Sequence, residues 1–338
     1  MRITTVGIDL AKNVFQIHGV DEYGKVVVRK KGSRTQLMPF IANTPACLIG
    51  IEACGSSHYW ARQFKKHGHT VKMLPGQFVK PFVKSNKNDF NDAEAICEAV
   101  QRPSMRFVPE KPIASQDIQS AHRIRLRLLR ARTALCNEIR GLLAEYGVIV
   151  GMGVHKLRKA LPEILGDETN ELTPFTREMM SELYTEFCDL DIRFDSFTEK
   201  IDLIFKNNEI CQRLSKIEGV GPLIATAIVA AVPNPHVFKN GRQMSAWLGL
   251  VPRQNSSGGK TNLLGISKRG DGYCRMLLVH GARSTVWRAK TKTDKRSVWI
   301  AEKEKTRGAN RTTVALANKN ARIIWKMMVT GEQYRPAV

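Results

Sequence analysis

The sequence has 338 residues, 43% of them hydrophobic, and a formal net charge of +22 with a pI near 9.9. A chain of this length buries a sizeable core in two or three domains, and so large a positive charge favours a polyanionic partner, above all nucleic acid. No stretch approaches the roughly 20 apolar residues of a membrane span, no signal-peptide pattern is present, and seven cysteines without a C-x-x-C pair argue for a reducing cytoplasm and against a zinc site.

Residues 1–112 alternate strand and helix signals. The stretch TTVGIDLAKNVFQIHGV (4–20) is typical of two strands around a tight turn at residues 11–13, and GKVVVRK (24–30) follows as a third strand. Two more strands, CLIGIEA (47–53) and HTVKML (69–74), flank a segment with helical spacing. Three hairpin-linked strands followed by β-α-β units predict a mixed sheet with helices on its faces, the order expected of a ribonuclease-H-like domain.

Residues 113–208 form a second region with the periodicity of long helices. Apolar residues recur at steps of three and four from Ile113 to Gly147 and again from about Pro174 to Asn207. The first stripe includes Leu142 and the second includes Met179. The pattern does not distinguish a hairpin within one chain from a coiled coil between two chains.

Residues 209–338 form a third, mostly helical region. The segment RLSKIEGVGPLIATAIVAAV (213–232) has two apolar helices around a glycine turn, which is typical of a helix-hairpin-helix that holds a phosphate, although a plain connector fits the same pattern. Residues 251–273 have the composition of a long polar loop. This region contains 23 Lys and Arg against 7 Asp and Glu, and therefore most of the net charge.

Four carboxylates of the first region are candidates for a metal site. Asp9 and Glu52 end the first and fourth strands, which are neighbours in a ribonuclease-H-like sheet, and Asp89 and Asp92 share one face at a helix start. Carboxylates crowded in this way repel each other unless Mg²⁺ or Mn²⁺ neutralises them. Each also has an ordinary explanation, such as a helix cap for Asp89. We predict that the four together bind metal.

The segment PRQNSSGGK (252–260) is a second candidate site. Adjacent serines and glycines give a backbone that can approach a phosphate, and basic residues surround it: Arg253, Lys260, Lys268 and Arg269. Residue types alone favour a flexible loop that grips phosphates over a serine nucleophile, because no Ser-His-Asp spacing accompanies the serines.

Six segments in this order resemble the transposases of the insertion sequence 110 family, including its 1111 subgroup. They are GIDLAKN, IGIEACG, NDFNDAEAI, IEGVGPLIATAIVA, SAWLGLVPRQNSSGGK and ISKRGDGYCRMLLVHGA. The resemblance implies a RuvC-like domain in which Asp9, Glu52, Asp89 and Asp92 form a DEDD site for Mg²⁺. It also implies a serine nucleophile in the C-terminal transposase domain, which matches Ser257, with Ser256 as the alternative.

The function implied by this resemblance is RNA-guided DNA recombination. A bridge-type non-coding RNA would pair with donor and target DNA, and the serine would form a transient 5′-phosphoserine link. The family also implies a homo-oligomer, a dimer or a tetramer, with active sites shared between subunits, acting in the bacterial cytoplasm at the nucleoid. We expect phosphate contacts from the loop cations above and from the basic block at residues 122–132, namely Arg123, Arg125, Arg127, Arg130 and Arg132. A solvated helix face is the alternative for that block.

Three other functions fit parts of the sequence. A junction resolvase would use the same carboxylates with water as the nucleophile. An actin-like ATPase or sugar kinase shares the sheet order, but it needs a Gly-Thr or Gly-Ser phosphate loop where this chain has Ala11 and Lys12. A nucleic-acid binder without catalysis would not need all four carboxylates and both serines.

Overall fold

A computed structural model of the chain describes residues 2–84 and 89–336, with the side chain of Asp89 outside the description. The chain divides into two compact units, residues 1–112 and 113–338. The predicted further division between residues 208 and 209 stays a prediction. No helix in the described ranges has the length and apolar character needed to cross a bilayer.

The first unit is built on a mixed five-stranded sheet with the strand order β3-β2-β1-β4-β5. Strands β1 to β3 are antiparallel neighbours, and β4 and β5 run parallel to β1. This is the predicted mixed sheet. Its elements are β1 (Thr5–Leu10), β2 (Val14–Val20), β3 (Val26–Ser33), α1 (Arg34–Asn43), β4 (Leu48–Glu52), α2 (Ser57–Lys66), β5 (Thr70–Leu74), α3 (Gly76–Val79) and α4 (Asp89–Val100).

One face of this sheet carries the main apolar core of the unit. Alternate residues of β1, β2 and β4 bury their side chains on that face, where Trp60 and Phe64 of α2 and Leu37 of α1 cover them. Helix α1, which contains Pro39, was not predicted from the sequence. Proline inside a helix removes a hydrogen bond and argues against a helix when only the sequence is known.

Helix α4 covers the opposite face and lies unusually close to the strands. A Cβ on Gly7 of β1 would collide with the backbone of Ala93 and Cys97, and one on Gly50 of β4 would lie 2.8 Å from Cβ of Val100. These contacts require glycine at both strand positions. Gly7 and Gly50 are paired in the parallel register, and together they form a flat surface without side chains against which α4 packs; we call it the glycine surface.

The second unit begins with a helical hairpin within one chain. Helix α5 (Ile113–Ala144) packs along α7 (Pro174–Lys206), and α6 (Val154–Gly166) lies between them in sequence. The two helices therefore pair within the chain, and a coiled coil between two chains stays a prediction. Two predicted core positions are wrong by one residue, since Leu142 and Met179 are exposed where Leu143 and Met180 are buried.

The remaining helices are α8 (Glu209–Leu214), α9 (Pro222–Ala231), α10 (Gly241–Trp247), α11 (Gly272–Ala289), α12 (Lys295–Arg307) and α13 (Ala309–Thr330). Among them, α8 and α11 pack on the buried helix α9, and α10, α11 and α12 pack on α13. Gly219, in the turn before α9, has φ +81° and lies against Gly281 of α11. The turn glycine therefore has a packing role, and phosphate binding by this turn stays a prediction.

The structure corrects the prediction of a polar loop between residues 251 and 273. Two short antiparallel strands, β6 (Pro252–Gln254) and β7 (Leu263–Ile266), form a hairpin there. At its tip the amide of Lys260 donates to the carbonyl of Ser257 at 3.0 Å. Gly258 and Gly259 between them have φ of +55° and +76°, as a tight hairpin turn requires at both central positions.

Candidate active site

Asp9 and Glu52 are neighbours on adjacent parallel strands. The β1–β4 register pairs Gly7 with Gly50 and Ile8 with Ile51, so the next positions along the two strands are Asp9 and Glu52. Side chains alternate between the faces of a sheet, so both carboxylates lie on the same face as the two glycines. That face is the one covered by α4, and both residues are half-buried.

Asp92 lies on the side of α4 that faces the glycine surface formed by Gly7 and Gly50. It precedes Ile96 by one helical turn, and Ile96 contacts the Gly50 position. The pKa of Glu52 is raised first by burial and then by the negative charge of Asp92. The two carboxylates therefore repel each other electrostatically, and no positive charge among the described residues offsets that repulsion at Glu52.

Cys54 and Gly76 further define the surroundings of Glu52. The pKa of the Cys54 thiol is raised by burial and then by the negative charges of Glu52 and Asp9. Both carboxylates therefore lie close enough to Cys54 to act on the same thiol. A Cβ on Gly76 would collide with the carboxylate of Glu52. Because position 76 is glycine, the Glu52 side chain has room to rest against the start of α3.

The fourth predicted ligand, Asp89, opens α4, and its side chain lies outside the described residues. Among the described side chains no group of three or more His, Cys, Asp or Glu is arranged as a metal site. The donor set nevertheless suits a hard cation, since carboxylate oxygens are the ligands that Mg²⁺ prefers. The raised pKa of Glu52 fits as well, because a bound cation would supply the missing positive charge.

Two polar residues of β2 on this face were missed by the sequence analysis. Gln16 pairs with Asp9 in the antiparallel register and His18 pairs with Gly7. Both are buried, and the Gln16 Oε1 and His18 Nδ1 atoms have no hydrogen-bond partner among the described residues. The available signal was alternation, because both residues occupy inward positions of an otherwise apolar strand.

The hairpin between β6 and β7 distinguishes the two candidate serines. The Ser256 hydroxyl accepts hydrogen bonds from Gln254 Nε2 at 2.9 Å and from the Asn262 amide at 3.4 Å, so it braces the base of the turn. Ser257 opens the turn and is exposed, and its hydroxyl has no hydrogen-bond partner within residues 2–84 and 89–336. Both serines are exposed, and of the two hydroxyls only that of Ser257 makes no hydrogen bond with the described residues.

The basic residues predicted to contact nucleic acid fall into two groups. Those in the exposed group can reach a ligand: Arg123, Arg127, Arg130, Arg253, Lys260, Lys268 and Arg269. Arg125 and Arg132 instead lie within the α5–α7 hairpin, with their guanidinium carbons 4.4 and 4.0 Å from the ring centre of Phe194. Arg132 also pairs with Asp191. These contacts stabilise the hairpin, and phosphate binding by the two arginines stays a prediction.

Comparison with known proteins places the chain in a family. A family described as a transposase matches residues 6–148, and one described as the IS116/IS110/IS902 transposase family matches residues 211–297. A probable family 20 transposase of Pseudomonas aeruginosa is 48% identical, covering 99% of this chain and all of its own length. The chain belongs to the IS110 family of transposases.

Other similar proteins agree with this placement. The transposase for insertion sequence element IS1111A of Coxiella burnetii is 47% identical over 98% of this chain and 92% of its own length. The transposase for IS1328 of Yersinia enterocolitica is 37% identical over 97% and 98% of the two chains. The resemblance found in the motifs is thereby confirmed. This member of the IS110 family is an enzyme of DNA recombination that acts on phosphodiester bonds, and its DEDD domain implies a RuvC-like fold.

Proposed function

We propose that this IS110-family transposase cleaves and exchanges DNA strands under the guidance of a bridge-type RNA, using a carboxylate-bound metal and a serine nucleophile. The observation that carries the proposal is the adjacency of Asp9 and Glu52 on a glycine-lined sheet face, with the charge of Asp92 acting on Glu52. DEDD-type domains generally use divalent metal ions, and Mg²⁺ or Mn²⁺ suits these oxygen ligands.

Asp9, Glu52, Asp89 and Asp92 would hold the metal. When bound, it would offset the negative charge that develops on the scissile phosphate. The carboxylates themselves bind and orient, because the strands and α4 fix their backbone positions through the contacts at Gly7 and Gly50. Such preorganisation spares the site a rearrangement during the reaction.

We propose Ser257 as the nucleophile, supported by its exposed and unpartnered hydroxyl at the hairpin tip, in contrast to Ser256. The Oγ–P bond forms as the P–O3′ bond breaks. The serine gives up its proton, and the 3′ oxygen takes one and leaves as a hydroxyl. One phosphodiester is exchanged for another, so ATP is not consumed, and the free 3′-hydroxyl can later attack the partner strand.

We further propose donor DNA, target DNA and a bridge-type RNA as partners of a homo-oligomer in the bacterial cytoplasm. The charge of residues 209–338, with 23 Lys and Arg against 7 Asp and Glu, supports phosphate binding without base readout. Guidance by RNA would leave sequence choice to base pairing, so the protein would need to read only shape and backbone.

A suicide DNA substrate with the cognate RNA and Mg²⁺ tests the proposal. We expect wild type and Ser256→Ala to form a covalent protein–DNA adduct on a denaturing gel, and Ser257→Ala and Asp9→Ala to form none. Ser256→Ala is the matched control, because it removes one neighbouring hydroxyl that braces the turn. Cleavage without an adduct in both serine variants would identify water as the nucleophile and the protein as a resolvase.

A further inference from the structure

Helix α11 carries a large aromatic side chain on its outer face. Trp287 is 74% exposed, although the opposite side of the helix packs into the core through residues such as Leu278 and Val286. His280 and Arg283 precede Trp287 by seven and four residues and are exposed as well. Residues at these spacings form one stripe, so an imidazole, a guanidinium and an indole line the same solvent-facing side.

Carboxylates are scarce in the helices around Trp287: α12, which packs on α11, has Glu302 and Glu304, whereas α10, α11 and α13 have none. Helix α11 and its packing partner α13 have only cationic charges, and so does α10, which also packs on α13. Between residues 219 and 301 the only acidic residues are Asp271 and Asp294, and each caps a helix by accepting from a backbone amide, at 2.9 and 3.1 Å. These carboxylates are used in folding and do not neutralise the arginines.

The cations near Trp287 differ in their partners. Among the described residues Arg283 donates only to the amide oxygen of Asn310, at 3.5 Å, and Arg288 donates to the Ser284 hydroxyl at 2.9 Å. Lys290, one turn further on, pairs with Glu304 at 3.3 Å and has its charge offset. The uncompensated charge therefore lies beside the indole and towards the N-terminal half of α11.

We infer that Trp287, with His280, Arg283 and Arg288, is a stacking platform for an unpaired nucleotide, whether of DNA or of RNA. A lone indole among uncompensated cations suits a ligand that has both flat rings and negative charge, and a single-stranded nucleic acid has both. A paired duplex hides its base faces and offers only the phosphates. This inference rests on the proposed function, since it names a contact of the same nucleic acids.

Fluorescence anisotropy with labelled oligonucleotides tests the platform on the full-length protein. The probes are an unpaired DNA 12-mer, the same sequence as RNA, and a DNA duplex. We expect Trp287→Ala to weaken binding of an unpaired probe about tenfold, with Trp287→Phe close to wild type and duplex binding unchanged. Arg283→Gln should weaken binding of all three probes and lower the slope of log affinity against log salt by about one.

Phe175→Ala is the matched control, because Phe175 is 69% exposed on α7 in the acidic middle of the chain. It should leave the binding of every probe unchanged. Unchanged binding of both unpaired probes by Trp287→Ala, or an equal loss for unpaired and duplex probes, would overturn the platform. A wild type that binds none of the probes would contradict the proposed function as well. The unpaired probe that loses more affinity identifies DNA or RNA as the ligand.

Discussion

Asp191 in the helical hairpin and Glu52 at the end of β4 are both carboxylates held away from water, but their surroundings differ in charge. Asp191 is buried and pairs with two guanidinium groups, those of Arg132 and Arg158. Glu52 has no ion pair among the described residues, and its pKa is raised first by burial and then by the charge of Asp92. The same chemical group thus serves stability in one unit and remains available for a ligand in the other.

The two carboxylates therefore have different roles. A buried carboxylate that is matched by arginines is a structural element, because breaking the pair leaves an uncompensated charge inside the protein. A carboxylate that faces another carboxylate is costly to keep unless a cation joins it. The comparison predicts opposite outcomes when each site is neutralised.

The largest effect is expected at the sheet. Glu52→Gln should lower strand cleavage by about 10²- to 10³-fold, the scale seen when one stabiliser of transition-state charge is lost. The melting temperature should stay the same or rise, because the change removes repulsion with Asp92. Cleavage rate and thermal unfolding of the same preparations check both parts.

Glu98→Gln is the matched control for this prediction. Glu98 lies on the same helix, α4, but pairs with Lys84 at 2.5 Å, so its loss should leave cleavage unchanged. A Glu52→Gln variant that cleaves normally would refute the assignment of Glu52 to the metal site.

At the hairpin the loss should be in stability. Asp191→Ala leaves the guanidinium groups of Arg132 and Arg158 without their carboxylate partner. We expect the free energy of unfolding to fall by about 3–5 kcal/mol. Urea unfolding followed by circular dichroism measures this. Asp189→Ala, an exposed site on the same helix, should change the same free energy by less than about 0.5 kcal/mol. Equal effects of the two variants would contradict the structural role of the Asp191 ion pairs.

The helices and strands that could be predicted are those determined by residues adjacent in the sequence. The apolar runs that end in Asp9 and Glu52 fixed two strands and the position of each carboxylate, since a strand end and its charge are adjacent in the chain. Helices α1 and α6 escaped prediction because Pro39 and Pro162 lie inside them. Packing within the protein outweighs the lost hydrogen bond there.

Contacts between distant residues could not be predicted in the same way. Arg132 meets Asp191 across 59 positions of sequence, and nothing in either local segment marks the pair. The hairpin at Ser257 was predictable in principle, because two glycines between polar strands are a turn signal. The separate roles of Ser256 and Ser257 depend on hydrogen bonds that only the folded hairpin reveals.

A smaller effect should follow from filling the space beneath α4. Gly7→Ala would place a Cβ against the backbone of Ala93 and Cys97, and we expect a loss of about 1–3 kcal/mol of stability. Cleavage should fall too, since the start of α4 carries Asp92. Gly32→Ala on β3 is the control, because its Cβ would have only ordinary contacts at 3.9 Å. Urea unfolding and the cleavage assay should show a loss of stability and of cleavage in Gly7→Ala and neither loss in Gly32→Ala.

The smallest effect concerns His122, a buried imidazole that stays neutral and has no carboxylate partner among the described residues. The Thr226 hydroxyl donates to the carbonyl of Pro222 at 2.8 Å, so it accepts from His122 Nε2 at 3.0 Å. The other ring nitrogen, Nδ1, must then accept from the Tyr273 hydroxyl, also at 3.0 Å. A protonated Nδ1 could no longer accept from Tyr273, and burial lowers the pKa of His122 to about 4.

This lowered pKa gives the pH dependence a definite sign. The unfolded chain binds a proton at His122 below about pH 6.5, whereas the folded protein does not until about pH 4, so stability falls as the pH drops through this interval. Between pH 7 and pH 5 the loss from this residue should be about 1–2 kcal/mol. His122→Gln, which cannot titrate, should be less stable at pH 7 but should lose less on acidification. Urea unfolding at both pH values measures the difference, and parallel losses in wild type and variant would show that other groups govern the acid response.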